Sequence, residues 1–384
     1  MLQTKKIKHV CVIAGDPSGD VHGAHILIDL KRRSPDLKIF GIGGNYMARE
    51  GMELIFHNRN TAFMGFAEVI KHLGFIRNMF QVLEEEIEER RPDAIILIDY
   101  PGFNLKLAEK IHHLNIPVFY YIAPQAWAWK ENRVKLLKKY VKHLFVIFPF
   151  EEPFFSQFKI PTTFVGHPFG HSILNREFSV ESLARFGINP DFPLISFLPG
   201  SREQELKRHL PVIKKTVNKI KEKYPHWQIA ISKAPMISTE FWLENMKGFE
   251  KETYNGNVDI LLSGSTTVAV ASGTASLQVA FHKKPMVIFY KVSSISYLIA
   301  RSLTRLKYIG MINILNGSEL FPELIQHKLT AESLLKKIED QIFNYSHQPI
   351  KMAKMKQLIE KLFKKDSSRI ITDTMLEVMN KKES

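Results

Sequence analysis

Cysteine is all but missing from this chain. Cys11 is the one present, so no internal disulfide can form and nothing demands an oxidising compartment. It falls in the apolar run "HVCVIAG" with no basic partner beside it, and reads as a small core residue. Acidic residues are the scarcer charge, 39 against 53 Lys plus Arg, giving a formal net charge of +14. That excess suits an anionic partner, whether nucleic acid, a membrane face or a phosphorylated small molecule, and does not choose among them. Long apolar runs are missing too. The N-terminal run is too short for a signal-peptide core. The longest uncharged stretch, "ILLSGSTTVAVASGTASLQVAF", is rich in Ser, Thr and Gly and reads as strand, loop and helix start, not as a membrane span. The expectation is a cytoplasmic chain with no transmembrane helix. No HExxH, CxxC or acidic DxD is present, and His167 and His171, four apart, have Pro168 and Gly170 between them, so no metal is expected.

What is present is alternation. "KHVCVIAG", "KIFGIGG", "DAIILIDY", "PVFYYIAP" and "HLFVIFPF" read as strands, with helical patterns such as "DVHGAHILIDLKRR" and "NLKLAEKIHHL" between them. After "TTFVGHPFG" the pattern restarts with "PLISFLPG" and a long basic helix that Pro211 must kink or delay. "WQIAISKA", "VDILLSG", "TTVAVAS" and "PMVIFYK" continue it. With 384 residues and a hinge near Gly166 to Gly170, two doubly wound α/β domains are expected, facing one another. The boundaries predicted are 1–168, 169–345 and a charged helical tail, 346–384, packing back toward the first domain.

Open parallel sheets bind ligands beyond the carboxyl ends of their strands, and four segments there carry chemistry. In "AGDPSGDVHGAH", Gly15 and Gly19 permit a tight turn, and Ser18 and Asp20 suit a helix start that could hold a ligand. It is neither a Walker loop nor GxGxxG, and a capped turn is the plainer reading. In "ILIDYPGFN", Asp99 ends an almost wholly apolar strand, where a carboxylate is costly unless paired or used, and Asn104 can cap or bind. In "FLPGSREQEL", a helix starting at Ser201 puts Arg202 at its N-terminus, with Glu205 placed for a capping box. In "VAVASGTASLQVAF", Ser272, Gly273 and Thr274 form a helix start suited to a diphosphate, and Gln278, one turn on, could reach ribose hydroxyls. Two diphosphate-suited turns in one half and a carboxylate in the other describe a nucleotide-sugar enzyme.

These segments, taken with "IFGIGG", "MGFAEVI", "YYIAPQAWAWK", "FPFEEPFF", "FVGHP" and "INILNGSELFPELIQ", resemble lipid-A-disaccharide synthases over nearly the whole chain. The resemblance implies a GT-B fold, two Rossmann-like domains facing across a cleft. It implies a metal-independent, inverting glycosyltransferase with no cofactor. The donor would be UDP-2,3-diacylglucosamine, the acceptor 2,3-diacylglucosamine 1-phosphate, and the products lipid A disaccharide 1-phosphate and UDP. Carried over by position, Asp99 is the general base and Asp20 its rival. Ser18, Gly19, Asp20 and Asn104 line the acceptor side. Arg202, Ser272, Gly273, Thr274 and Gln278 bind the UDP part, and Asn313 sits in a closing loop. The family often has Glu at Asp16, Asp at Gly102 and Glu at Gln278, which loosens those three assignments.

The resemblance also implies peripheral binding to the cytoplasmic face of the inner membrane. Phe66, Val69, Ile70, Leu73, Ile76 and Phe80 fall near helical spacing, with Lys71, His72 and Arg77 among them, as suits an interfacial helix on anionic lipid. A core-packing helix is the plainer reading of such a stripe. Three rivals stay open: a UDP-N-acetylglucosamine 2-epimerase or other GT-B transferase, a nucleic-acid binder prompted by the charge, and a scaffold whose turns are only turns. No known nucleic-acid motif is present. Oligomeric state is not legible.

Overall fold

Runs of Val, Ile, Phe and Tyr between Gly- and Pro-marked turns become strands, and all of them lie parallel. The computed structural model describes residues 7–60, 73–129, 131–169, 180–293, 297, 306–344, 349–363 and 366–380. The chain divides into two units, Met1–His171 with Leu362–Ser384, and Ser172–Lys361.

The first unit is built on β1 (His9–Ala14), β2 (Lys38–Gly43), β3 (Glu53–His57), β4 (Ala94–Ile98), β5 (Val118–Tyr121), β6 (His143–Val146) and β7 (Thr162–Phe164). They pair in the order β3-β2-β1-β4-β5-β6-β7. β1 and β4 are buried almost throughout because helices cover both faces of such a sheet. Cys11 lies inside this core, where burial pushes its thiol pKa up, so it is the inert core residue expected. The helix Ser367–Asn380 belongs to this unit, and Asp373 on it pairs with Arg33 at the end of the helix Pro17–Arg33.

The second unit carries β8 (Leu194–Leu198), β9 (Gln228–Ser232), β10 (Thr253–Tyr254), β11 (Thr267–Ala271), β12 (Met286–Tyr290) and β13 (Glu323–Ile325), ordered β10-β9-β8-β11-β12-β13. The helix Glu203–Lys223 buries Leu206, Leu210, Ile213, Val217 and Ile220, a stripe at the helical period, against this sheet. Pro211 neither delays nor ends that helix. It is exposed, on the face away from the core. "VDILLSG" is a helix, Val258–Gly264, because the Asn257 side chain caps it at the N–H of Asp259 (2.8 Å).

Candidate active site

In each sheet the strand order reverses once. The reversal falls between β1 and β4 in the first unit and between β8 and β11 in the second. At such a point the connections leave in opposite directions and a crevice opens beyond the strand ends. "AGDPSGD" follows β1 and "DYPGFN" follows β4. "LPGSR" ends β8 and "ASGTASLQ" follows β11. The four segments picked out by their chemistry thus occupy the two crevices in pairs.

In the first unit, Asp16 caps the helix Pro17–Arg33, its Oδ1 accepting the Gly19 N–H at 2.6 Å. Gly15 lies under Tyr100, and a Cβ there would stand 2.3 Å from the ring. Asp99 and Tyr100 are both left-handed, each with φ of +46°, a strained pair of non-glycine residues held by its surroundings. The Asp99 N–H donates to Tyr121 O at 2.9 Å. The Asp99 carbonyl accepts from Asn104 Nδ2 at 2.8 Å and the Tyr120 hydroxyl at 2.6 Å. Asn104 is fully buried and also donates to Ile98 O at 3.2 Å. Its Nδ2 is spent on these two carbonyls and positions Asp99, while its Oδ1 is buried with no partner among the described residues.

Burial pushes the Asp99 carboxyl up to about 6, and the Asp16 charge adds to the rise. The Tyr100 N–H and Arg133 pull the other way. Asp20 is a different kind of carboxylate. It is buried, Oδ1 accepting from the N–H groups of Gly44 (2.8 Å) and Met47 (3.0 Å) and Oδ2 from that of Tyr46 (3.0 Å). Three donors engage its oxygens, and it ties the start of the helix Asn45–Arg49 to the first helix. Ser18 is exposed in the first helical turn, and Gly19 is buried with its N–H on Asp16.

Sequence reading missed Glu151, in "FPFEEPFF". It is 1% exposed and accepts from Trp127 Nε1 (2.9 Å), Phe148 N (3.0 Å) and Ile147 N (3.3 Å). Burial raises its carboxyl to about 7 against those three donors. His22 was missed as well, and the sequence reading weighs His167 only as a metal ligand. Burial lowers them to about 4 and about 3, and each has a second histidine as a further cause.

In the second unit Arg202 is the N-cap residue of its helix, which starts at Glu203 and not at Ser201, and its guanidinium is exposed. Glu205 gathers the turn. Its carboxylate accepts from Ser201 N (3.3 Å), Arg202 Nη1 (3.1 Å) and the Tyr290 hydroxyl (3.3 Å). His209, hidden in the basic helix, is fully buried. Nδ1 donates to Pro199 O at 2.7 Å and Nε2 accepts the Lys291 N–H at 3.0 Å, so the ring is a fixed neutral tautomer, and burial lowers its pKa. It ties the loop after β8 to the end of β12.

The Ser272 hydroxyl donates to Ile309 O at 2.8 Å. Gly273 stands at φ +152°, ψ −164°, a region open to glycine alone, and Gly273 and Thr274 at the helix start are exposed. Gln278 donates through Nε2 to Asp259 Oδ1 at 2.6 Å. Asn313 is fully buried, donating to Phe321 O (2.7 Å) and Glu323 Oε1 (2.9 Å) and accepting from Leu320 N (2.8 Å) and Phe321 N (3.0 Å). Its amide holds its own loop together. Glu323, unseen in the sequence reading, holds that loop by the N–H groups of Ile309 and Gly310, both at 2.9 Å.

Of the apolar stripe, Phe66, Val69 and Ile70 lie outside the described residues. Leu73 begins the helix Leu73–Arg90, with its side chain outside them. Ile76 is half-buried against the core and Phe80 is inside it, so that end of the stripe packs inward. Among the described residues no helix is long and apolar enough to cross a membrane.

A family model described as lipid-A-disaccharide synthetase matches residues 10–374. The chain is 34% identical over 377 residues to the lipid-A-disaccharide synthase of Geobacter metallireducens, covering 98% of both chains. It is 36% identical over 328 residues to that of Nitrosococcus oceani, 85% of this chain and 84% of the relative. Among solved structures, S. aureus MnaA with UDP aligns at a TM-score of 0.66 and 12% identity over 97% of each chain. A UDP-GlcNAc 2-epimerase from Neisseria meningitidis aligns at 0.63 and 13%, over 96% of this chain and 100% of that one. The calicheamicin glycosyltransferase aligns at 0.61 and 14%, over 98% and 99%. At these identities the likeness is one of fold, two parallel-sheet α/β domains of the GT-B kind.

Proposed function

The chain belongs to the lipid-A-disaccharide synthetase family and is a glycosyltransferase, and on that premise we propose how its residues perform the transfer. A 2,3-diacylglucosamine unit passes from UDP-2,3-diacylglucosamine to 2,3-diacylglucosamine 1-phosphate. Asp99 takes the proton from the acceptor 6-hydroxyl as that oxygen attacks the anomeric carbon. The bond from that carbon to the diphosphate breaks, its electron pair leaves with UDP, and a single displacement inverts the centre. Arg202 and the turn Ser272-Gly273-Thr274 receive the charge on the leaving diphosphate.

The observation that carries this reading is Asp99 itself, a carboxyl raised to about 6 at the strand reversal of the first unit. A base whose pKa lies near the working pH is ionised and still accepts a proton effectively. Asp20, in the same crevice, has its oxygens held by three backbone donors.

The membrane-face reading rests on sequence: the stripe Phe66, Val69, Ile70 and Leu73, the basic residues among it, and substrates that carry acyl chains. The enzyme would sit peripherally on the anionic cytoplasmic face of the inner membrane.

The test is UDP release in detergent micelles with donor, acceptor and EDTA, for wild type and Asp99→Ala. Release that needs the acceptor, and is lost in the variant while UDP still binds, supports the reaction and the base. No release from a folded, UDP-binding wild type would sink the proposed acceptor and move the epimerase reading, or another sugar transfer, to the front. A variant retaining more than about a tenth of wild-type kcat, where general-base loss costs about 10²–10⁴, would remove Asp99 from the role.

A further inference from the structure

The second unit holds a cluster that the transfer described above does not use. Asp259 lies at the start of the helix Val258–Gly264, and Gln278 and His282 lie on the helix Thr274–Phe281 and at its end. One oxygen, Asp259 Oδ1, accepts from Gln278 Nε2 at 2.6 Å and from His282 Nε2 at 3.0 Å. The Asp259 side chain keeps 18% of its surface exposed, against 6% for His282.

An ionised carboxylate only accepts hydrogen bonds. The end of Gln278 that meets it must therefore be the NH₂ group. That fixes the amide, and Oε1 is turned away from Asp259. Gln278 is four residues beyond Thr274, so it sits about one turn, roughly 6 Å, below the helix start proposed to hold the diphosphate. A nucleotide whose diphosphate rests on that helix start brings its ribose to this level.

We propose that Asp259 is a positioning residue for the nucleotide ribose, holding Gln278 so that Oε1 accepts from a ribose hydroxyl. This rests on the reading that the second unit binds UDP. Without Asp259 the amide turns freely and presents its donor face as readily as its acceptor face. His282 anchors the same carboxylate from below. The pair thus makes an acceptor for the ribose without placing a charge on Gln278 itself.

The experiment is calorimetric binding of UDP and of 2′-deoxy-UDP to the whole protein. Wild type should prefer UDP by at least about tenfold, the worth of one well-made hydrogen bond. In Asp259→Ala, which removes the acceptor altogether, the preference should fall to about twofold, with UDP release at saturating donor changed by less than about twofold, because the diphosphate contacts remain. The double variant Asp259→Asn, Gln278→Glu reverses the direction of the bond. The introduced carboxylate then accepts from the introduced amide and from ribose, and the preference should return. A thermal melt of each variant separates lost fold from lost selectivity. An unchanged preference in Asp259→Ala, or a double variant that folds and stays unselective, overturns the proposal and leaves Asp259 as a tie between two helices. Wild type that binds no UDP sinks the nucleotide reading of the second unit itself, before any variant is compared.

Discussion

The Tyr120 hydroxyl donates to the main-chain carbonyl of Asp99 at 2.6 Å, so the residue proposed as base is gripped through its backbone while its carboxylate is left to act. Asn104 Nδ2 reaches the same carbonyl at 2.8 Å. The two donors stabilise a left-handed residue that the local sequence does not favour. Tyr120→Phe keeps the buried ring and removes one donor, with Asn104 still in place. It should cost about 1 kcal/mol of stability. Asn104→Leu takes the side-chain donor from the Ile98 carbonyl and leaves the Asp99 carbonyl with the Tyr120 hydroxyl alone, inside the core, and should cost about 2–4 kcal/mol. Both should lower kcat more than they change KM, because what moves is the carboxylate and not the substrate grip. Urea titration and steady-state kinetics check the order. Equal costs for the two would mean that the Tyr120 bond carries as much as the amide.

The raised Asp99 carboxyl fixes the sign of two pH effects. Activity needs the ionised form, so kcat/KM should fall as pH drops through about 6. Asp16→Asn removes the neighbouring charge that helps to raise it, and the acid limb should move to lower pH. Stability runs the other way. Between 3.8, the ordinary value, and about 6 the folded protein binds a proton that the unfolded chain has released, so this residue makes the protein less stable as pH rises through that window. Asp99→Asn should therefore be more stable than wild type above pH 7, by up to about 3 kcal/mol, and no more stable near pH 3.5. Chemical denaturation at the two pH values decides it, and a variant less stable than wild type at pH 8 would contradict the assignment.

The strand-end segments were legible because their chemistry is local. A glycine turn, a capping residue and an apolar strand ending in an acid are each written within a short stretch of sequence. The sheet order then brought "AGDPSGD" beside "DYPGFN" and "LPGSR" beside "ASGTASLQ". What the sequence hid was reach. His209 meets Lys291, 82 residues on, and Asp259 meets Gln278, 19 residues on. Each looks like an ordinary surface or helix residue until the fold delivers its partner. Asp20 and Asn313 hid their partners for the same reason. Their motifs were seen, but not the three N–H groups closing on Asp20 nor the loop that consumes the Asn313 amide. "VDILLSG" misled because a short apolar run fits strand and buried helix alike.

Glu151 needs two oxygens that both accept. One takes the Trp127 indole N–H and the other the N–H groups of Ile147 and Phe148. Glu151→Gln keeps the size but turns one of those oxygens into an NH₂ group facing a donor. Whichever way the amide lies, a buried N–H loses its partner, and the cost should be about 2–4 kcal/mol. Tryptophan fluorescence should report a loosened Trp127 before global unfolding. A variant within about 0.5 kcal/mol of wild type would show that a water molecule can take over the lost contact.

Gly15 and Gly273 are both needed, for opposite reasons, and alanine tells them apart. At Gly15 the obstacle is space, since a Cβ would stand 2.3 to 2.8 Å from the Tyr100 ring. Gly15→Ala must displace Tyr100 and, with it, Asp99. It should lower kcat by about tenfold or more while UDP binding holds within about twofold. At Gly273 space is free, with nothing within 4 Å of a Cβ, and the obstacle is φ of +152°. Gly273→Ala must rebuild the turn at the helix start, at about 1–3 kcal/mol. That change falls on the backbone proposed to meet the diphosphate, so UDP affinity should drop by about tenfold or more while the environment of Asp99 is untouched. Calorimetric UDP binding and the acid limb of kcat/KM, measured on both variants, separate the two. Weakened UDP binding in Gly15→Ala, or an unaltered affinity in Gly273→Ala, would mean that the base and the diphosphate turn had been assigned to the wrong units.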